Sequence, residues 1–219
     1  MNGLLAGLAI LVIGDSHMVT NDYLITTLHD DLIQQGATVN TYGMCGTNAG
    51  DWVYKTTVSC GEAERHGTKA AVINRQPRSP GWTVDQLINE NHPNLVIVEM
   101  GDTMAGYGQQ DFPRGWIYEQ VRTLTQRISG HNLPCVWVGP PWGNEGSSYH
   151  KTFDRVKEMS EFLSKSVSPC LYIDSTQFSK PGEWPTIDGQ HLTASGYRVW
   201  GKDIAGSLDR MVSAGQIKK

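Results

Sequence analysis

Five short apolar runs punctuate the chain, at Leu8–Ile13, Thr38–Tyr42, Leu95–Met100, Cys135–Val138 and Cys170–Ile173. Val, Ile and Leu dominate them with few polar breaks, the pattern of strands covered on both faces. Longer amphipathic stretches lie between and after them: Asn21–Gln35, Thr83–Glu90, Gly115–Ser129, Tyr149–Ser166 and Thr193–Ser213. In the first of these, Leu24, Ile25, Leu28 and Leu32 recur at helical spacing. Alternation of this kind predicts an α/β fold, a three-layer αβα sandwich around a five-stranded, mainly parallel sheet.

One segment breaks the rhythm. In Trp52–Arg78, "WVYKTTVSC" and "TKAAVIN" flank "GEAERHG", which reads as a hairpin with a polar turn inserted over the edge or mouth of the sheet. Repeats, low-complexity tracts and linkers are absent, so the 219 residues are read as one domain, 1–219. The net charge is −4 and no basic stripe stands out, which argues against nucleic acid as a partner. Nothing reaches the ~18 consecutive apolar residues of a membrane span. "MNGLLAGLAILVIG" has the look of a secretory apolar region but lacks a basic lead, and it is read as a strand with a short lead-in.

Four cysteines remain to be placed. Cys45 and Cys60 lie near the loop after the second run, and Cys135 and Cys170 each open a strand. Two bridges, Cys45–Cys60 and Cys135–Cys170, follow if the compartment is oxidising; four buried thiols are the alternative. No Cys-x-x-Cys or His-Glu-x-x-His occurs, so no metal site and no cofactor are read.

Ligands in an open parallel sheet bind beyond the carboxyl ends of its strands. Four of the five runs are followed directly by glycine and small or polar residues: Gly14-Asp15-Ser16-His17, Gly43-Met44-Cys45-Gly46-Thr47-Asn48, Gly101-Asp102-Thr103-Met104 and Gly139-Pro140-Pro141-Trp142. The fifth is followed, on a longer loop, by Asp188-Gly189-Gln190-His191. Ser16 reads as an N-cap worth about 1 kcal/mol, or as a nucleophile among unpaired N–H groups. Asp188, three residues before His191, can hold the Nδ1–H of the imidazole and leave Nε2 free to take a proton from Ser16. Alone, Asp-x-x-His is more often a surface turn; its weight comes from pairing with the serine loop.

These residues resemble the SGNH hydrolase (GDSL-like esterase) superfamily. "VIGDSH" is similar to its first block, "YGMCGTNAGDW" to the second, "VIVEMGDTM" to the third and "DGQHLTASGY" to the fifth. The resemblance spans roughly Leu8 to Ser207 with the hairpin outside it, and implies a flavodoxin-like layout. It implies Ser16 as nucleophile, His191 as base, Asp188 as its orienting acid, and the Ser16 and Gly46 N–H groups facing the oxyanion. One departure stands in the third block, where Thr103 replaces the usual asparagine donor. Losing such a donor costs about 3–4 kcal/mol of transition-state stabilisation, so Thr103 implies weaker hydrolysis, a substitute donor such as Asn48, or a changed task.

His17 replaces the usual leucine after the serine, and "GDSH" resembles the SGNH domains of bacterial cell-envelope and exopolysaccharide O-acetyltransferases, including those of alginate and cellulose acetylation. The resemblance implies an acyl-enzyme on Ser16 that passes a small acyl group, acetyl above all, to water or to a carbohydrate. The alternative is a catalytically weak or inactive carbohydrate-binding protein of the same fold. Expected company is an acylated carbohydrate and other proteins of a polysaccharide acetylation system. Expected placement is periplasmic or extracellular, with any export signal already removed from this chain and the cytoplasm as the alternative.

His17 is read as a wall of the site or as packing beside it. Trp52 and Trp142 are read as stacking surfaces for sugar rings or as ordinary core. Asp15 is read as structural, and Asp102 as facing the site or capping the next turn. His29, His66, His92, His131 and His150 have no partner spacing and are read as surface or local hydrogen-bonding residues.

Overall fold

A parallel sheet forms where the apolar runs were expected, because each run can bury both of its faces. The computed structural model describes residues 3–218. Its nine strands are β1 Ala9–Gly14, β2 Thr38–Met44, β3 Thr57–Val58, β4 Glu62–His66, β5 Val72–Asn74, β6 Ser79–Pro80, β7 Leu95–Glu99, β8 Cys135–Val138 and β9 Leu171–Ile173. The helices are α1 Thr27–Gln34, α2 Val84–Asn91, α3 Arg114–Gly130, α4 Phe153–Ser166 and α5 Ala194–Ser213. The main sheet runs β5-β4-β2-β1-β7-β8-β9. Its five strands from β2 to β9 are parallel, with the flavodoxin-like reversal of order beside β1.

Side chains alternate across this sheet. Leu11, Ile13, Val96, Val98 and Trp137 face the layer of α2, α3 and α4, where Leu87, Val121, Leu124 and Leu163 meet them. Ile10, Val12, Leu95, Ile97 and Val138 face α1 and α5, against Leu28, Leu32, Trp200, Ile204 and Leu208. Among the described residues, no helix is long and apolar enough to cross a membrane.

The sheet has seven strands, not five. The expected insertion joins the sheet by pairing β4 antiparallel to β2, and β5 antiparallel to β4. The polar stretch read as the turn is itself a strand. Next to the edge, between β2 and the short β5, this strand buries only Ala63 fully and leaves Glu62, Glu64, Arg65 and His66 half-exposed, so polar side chains fit there. Arg65 fastens the hairpin to the body, donating to Asp30 at 2.6 Å and to the Ile25 carbonyl at 3.2 Å.

A second difference lies after β1. The helix expected from Asn21 starts only at Thr27. Asp22 takes a left-handed φ of 67° and the Leu24 N–H donates to the His17 carbonyl at 3.1 Å, so Leu24 and Ile25 reach the core from turns. Both expected disulfides are formed, Cys45–Cys60 and Cys135–Cys170.

Candidate active site

Ser16 sits where two glycines let a turn settle onto the sheet. Gly14 ends β1, and Gly43 is its register partner on β2. A Cβ on Gly14 would lie 2.7 Å from the Met18 side chain, and one on Gly43 would lie 2.5 Å from it. Their absence lets Met18 pack down and lifts Ser16 to the carboxyl edge. The turn Ser16–Met18 is a single 3₁₀ turn, and Asp15 caps it by accepting the His17 N–H at 3.1 Å. The expectation that Ser16 caps a helix is therefore corrected: Asp15 is the cap, and α1 begins too late for its dipole to reach the serine.

The loop before α5 supplies the partners. Asp188 Oδ1 accepts the backbone N–H groups of Gln190 at 3.0 Å and His191 at 2.7 Å. Its Oδ2 accepts the Nδ1–H of His191 at 2.7 Å. A carboxylate only accepts, so Nδ1 carries the proton and Nε2 is left to accept the Ser16 hydroxyl, 2.7 Å away. Partial burial pushes the Asp188 carboxyl up, but these hydrogen bonds outweigh it and hold the group below its ordinary range. Residues 175 positions apart in sequence are thereby joined by one hydrogen bond. The rings of Tyr23 and Tyr149 flank His191, with centroids at 6.0 and 5.7 Å.

Ser16 and His191 open onto a cleft of about 350 Å³, whose walls include Gly46, Thr103, Tyr107, Tyr149 and Gln190. Gly46 is exposed with φ at 75°, in the left-handed region, and its N–H meets no acceptor among the described residues. Thr103 borders the same cleft, but its Oγ1 is shut away from solvent and has no hydrogen-bond partner among the described residues. The hydroxyl must rotate before it can donate into the cleft.

The other sequence expectations fare differently. His17 is fully buried and offers no wall to a substrate, because both ring nitrogens are engaged below the site. Its Nε2–H donates to Asp102 Oδ2 at 3.0 Å and its Nδ1 accepts the Tyr197 hydroxyl at 2.6 Å. Trp52 is also fully buried, inside the core between the sheet and α3, so it stacks on no sugar. Trp142 lies away from the cleft, its indole N–H directed at the carbonyls of Thr176 and Ser179, both at 3.0 Å. Asn48 is not among the residues lining the cleft, and its backbone N–H donates to Asp51 Oδ2 at 2.7 Å, so the expected substitute oxyanion donor is not brought to Ser16. Apolar burial outweighs a polar role at Trp52.

A buried charge network, not read from the sequence as a unit, underlies the site. Lys151 is 1% exposed and donates to both oxygens of Asp102, each at 2.8 Å. The Tyr107 hydroxyl adds a third hydrogen bond at 2.6 Å and His17 a fourth. Burial pushes the Asp102 carboxyl up, but Lys151 first and His17 second overcome it and hold the group well below the ordinary carboxylate range. Burial likewise drives His17 down to about 4, so it is neutral near pH 7. Asp15 is lifted to about 7, chiefly by burial, with Asp102 adding repulsion. Glu99 is raised as well, and Asp15 Oδ2 and Glu99 Oε2 both lack hydrogen-bond partners among the described residues. Asp15, His17 and Glu99 bring one ligand-type atom each within 4.8 Å of one another, yet all are buried and the imidazole has no nitrogen to spare. Lys151 sits in "SSYHKTF", which carries no periodic or spacing signal that could have singled it out.

The strand order, the glycine-lined carboxyl edge and the joined serine, histidine and aspartate loops define the SGNH hydrolase fold. A GDSL-like lipase of Bacteroides thetaiotaomicron shares it with a TM-score of 0.58 at 10% identity, over 94% of this chain and 88% of that one. A peptidoglycan O-acetylesterase shares it with a TM-score of 0.57 at 14% identity, over 97% and 93%. No protein-family model matches the chain. Protein BcsX of Komagataeibacter xylinus is 47% identical over 206 residues, spanning 93% of this chain and 78% of that protein, and the chain belongs to the BcsX family.

Proposed function

We propose that this protein is a serine-dependent acyl-ester enzyme acting on small acyl groups, acetyl above all, carried by a carbohydrate. The carrying observation is the continuous Asp188–His191–Ser16 hydrogen-bond chain, with both side-chain links at 2.7 Å, opening onto a cleft. His191 Nε2 takes the Ser16 proton as Oγ attacks the ester carbonyl. The Gly46 N–H, already without an acceptor, receives the developing oxyanion together with the Ser16 N–H. His191 then returns the proton to the departing alcohol, and Asp188 keeps the imidazole in the required tautomer and stabilises the imidazolium. Water or a second sugar hydroxyl resolves the acyl-enzyme by the same steps in reverse. None of these steps calls for a metal or an organic cofactor.

Carbohydrate as the acyl carrier is supported by the "GDSH" resemblance to exopolysaccharide O-acetylation domains and by a fold shared with a peptidoglycan O-acetylesterase. Membership of the BcsX family accompanies a proposed place beside other proteins of a cellulose-modifying system. The two disulfides support an oxidising compartment, hence a periplasmic or extracellular site of action.

The closed-off Thr103 hydroxyl favours one second reading, a carbohydrate-binding protein with weak turnover. A fluorophosphonate probe separates the two. Labelling mapped to Ser16 and lost in His191→Ala is expected of the enzyme. An unlabelled Ser16 in folded protein overturns the enzymatic reading and leaves the binding one.

A further inference from the structure

Ser16 and His191 stand at the junction of two clefts. The larger contains the oxyanion groups described above. The smaller, about 190 Å³, opens toward the hairpin between Thr20, Tyr23 and Arg75, with Gly61 and Asn74 behind them. The Cys45–Cys60 bridge borders both. Gly46 and Thr103 border only the larger one, so the carbonyl oxygen of an acyl-enzyme, and the plane of its ester, belong there. A nucleophile must approach that plane from one side while giving its proton to His191 Nε2. His191 also lines the smaller cleft, which leaves that cleft as the approach route free of the acyl group.

Its chemistry suits a sugar. The Tyr23 ring lies nearly parallel to that of His191, at 25°, and is braced from behind by Tyr197 at a centroid distance of 4.0 Å. That presents a firm aromatic face beside the base. The Arg75 guanidinium and the Thr20 hydroxyl hydrogen-bond no other group among the described residues, whereas Asn74 is already committed to Glu62 and Gln76. Arg75 is an exposed cation without an ion-pair partner among the described residues. Its fork of N–H donors suits paired hydroxyl oxygens. The insertion that supplies Arg75 also builds the edge of the sheet, so one element both extends the fold and shapes this cleft.

Resting on the acyl-enzyme reading above, we infer that the smaller cleft seats the alcohol half of the ester, a pyranose ring held by Arg75, Thr20 and Tyr23. In the transfer direction the sugar O–H gives its proton to His191 Nε2 as its oxygen attacks the acyl carbon. The bond from that carbon to Ser16 Oγ then breaks, and Oγ takes the proton from His191. Hydrolysis of an acylated sugar runs the first half of the cycle with the same ring leaving from the same cleft.

The experiment uses the full chain, p-nitrophenyl acetate as donor and cellotetraose as acceptor. Intact-protein mass spectrometry first reads the acetyl-enzyme as a gain of about 42 Da on Ser16. The partition of acetyl between sugar and free acetate is then measured. Wild type is expected to divert acetyl to the sugar as its concentration rises. Arg75→Ala is expected to lower the ratio of transfer to hydrolysis at least fivefold, and Arg75→Lys to restore part of it. Lys69→Ala, which removes a charge from the far turn of the same hairpin, is expected to keep the ratio within twofold. Equal ratios in the Arg75 and Lys69 variants, or a wild-type ratio that ignores the sugar although Ser16 is acetylated, overturn the subsite. Failure of Ser16 to acetylate overturns the acyl-enzyme itself, and the subsite with it.

Discussion

Replacing Lys151 by Met keeps the aliphatic stem that runs beside Gly143 but removes the ammonium that holds both oxygens of Asp102 at 2.8 Å. Asp102 is then a fully buried carboxylate with two donors left, Tyr107 and His17. Removing one partner of a buried pair costs about 3–5 kcal/mol. The structure also sets a ceiling on the share that comes from the stranded charge. Asp102 escapes by taking a proton, and lifting its carboxyl from the ordinary 3.8 to above 7 costs about 4 kcal/mol at pH 7, at about 1.4 kcal/mol per pH unit. The expected loss at pH 7 is therefore about 3–4 kcal/mol, a large part of the 5–15 kcal/mol typical of a folded domain. In the variant the folded state holds a proton that the unfolded chain has lost above pH 3.8, so its stability falls as pH rises from about 4 to 7. In wild type the depressed Asp102 works the opposite way, its contribution being present above 3.8 and lost as pH falls below it. Urea unfolding at pH 4.5 and pH 7.5 reads both effects: the deficit shrinks by about 2–3 kcal/mol at the lower pH, and the double variant Asp102→Asn/Lys151→Met recovers much of it. A deficit under 1 kcal/mol at pH 7.5, or one that does not change with pH, refutes this account of the network.

Other outcomes follow from the same geometry. Asp188→Asn, which upsets the imidazole tautomer, lowers kcat for p-nitrophenyl acetate by about 10²–10⁴ while leaving the urea midpoint nearly unchanged, since its side chain is 31% exposed; an unchanged kcat contradicts the proposed role. Removing the Cys45–Cys60 bridge as Cys45→Ala/Cys60→Ala opens a loop of separation 15, costs about 3 kcal/mol in denaturant titration, and slows acylation more than it raises KM, because Gly46 adjoins the bridge. Asp15, lifted to about 7 by burial, stays protonated in the fold when the unfolded chain has lost its proton, so it contributes a decline in stability between about pH 4 and 7. Asp15→Asn keeps an oxygen for the His17 N–H and flattens that decline by on the order of 4 kcal/mol, measured by thermal melts across the range. Thr103→Asn supplies a longer donor and is expected to raise kcat/KM for the same ester about tenfold; a fall in both kcat and stability argues that the closed-off hydroxyl pocket cannot admit it.

What the chain spelled out locally was read correctly where one kind of energy dominates. The strands β1, β7 and β8 are nearly pure apolar runs, so burial on both faces left them one place to go. Asp188 and His191 were legible because three residues of a tight turn bring carboxylate and imidazole together with no help from the rest of the fold. Errors arose where local and tertiary preferences compete. The polar stretch Glu62–His66 looks like a turn by composition, yet the open edge of β2 offers hydrogen bonds to any backbone, and polar side chains cost nothing at a half-exposed rim. The tryptophans read as platforms, but Trp52 gains more from full burial than from solvent.

The amino-acid order by itself determined the layers, the glycine-lined edge and the two loops that carry Ser16 and His191. Only the tertiary structure decided what lies beneath and beside them. Lys151 meets Asp102 across 49 positions, His17 turns inward to Tyr197 across 180, and Arg75 comes to border the cleft that Ser16 shares with Tyr23. None of these pairings leaves a periodic trace, because a buried ion pair or a cleft wall depends on the distance between side chains in space. That distance is set by the packing of whole elements and not by any short-range rule of sequence.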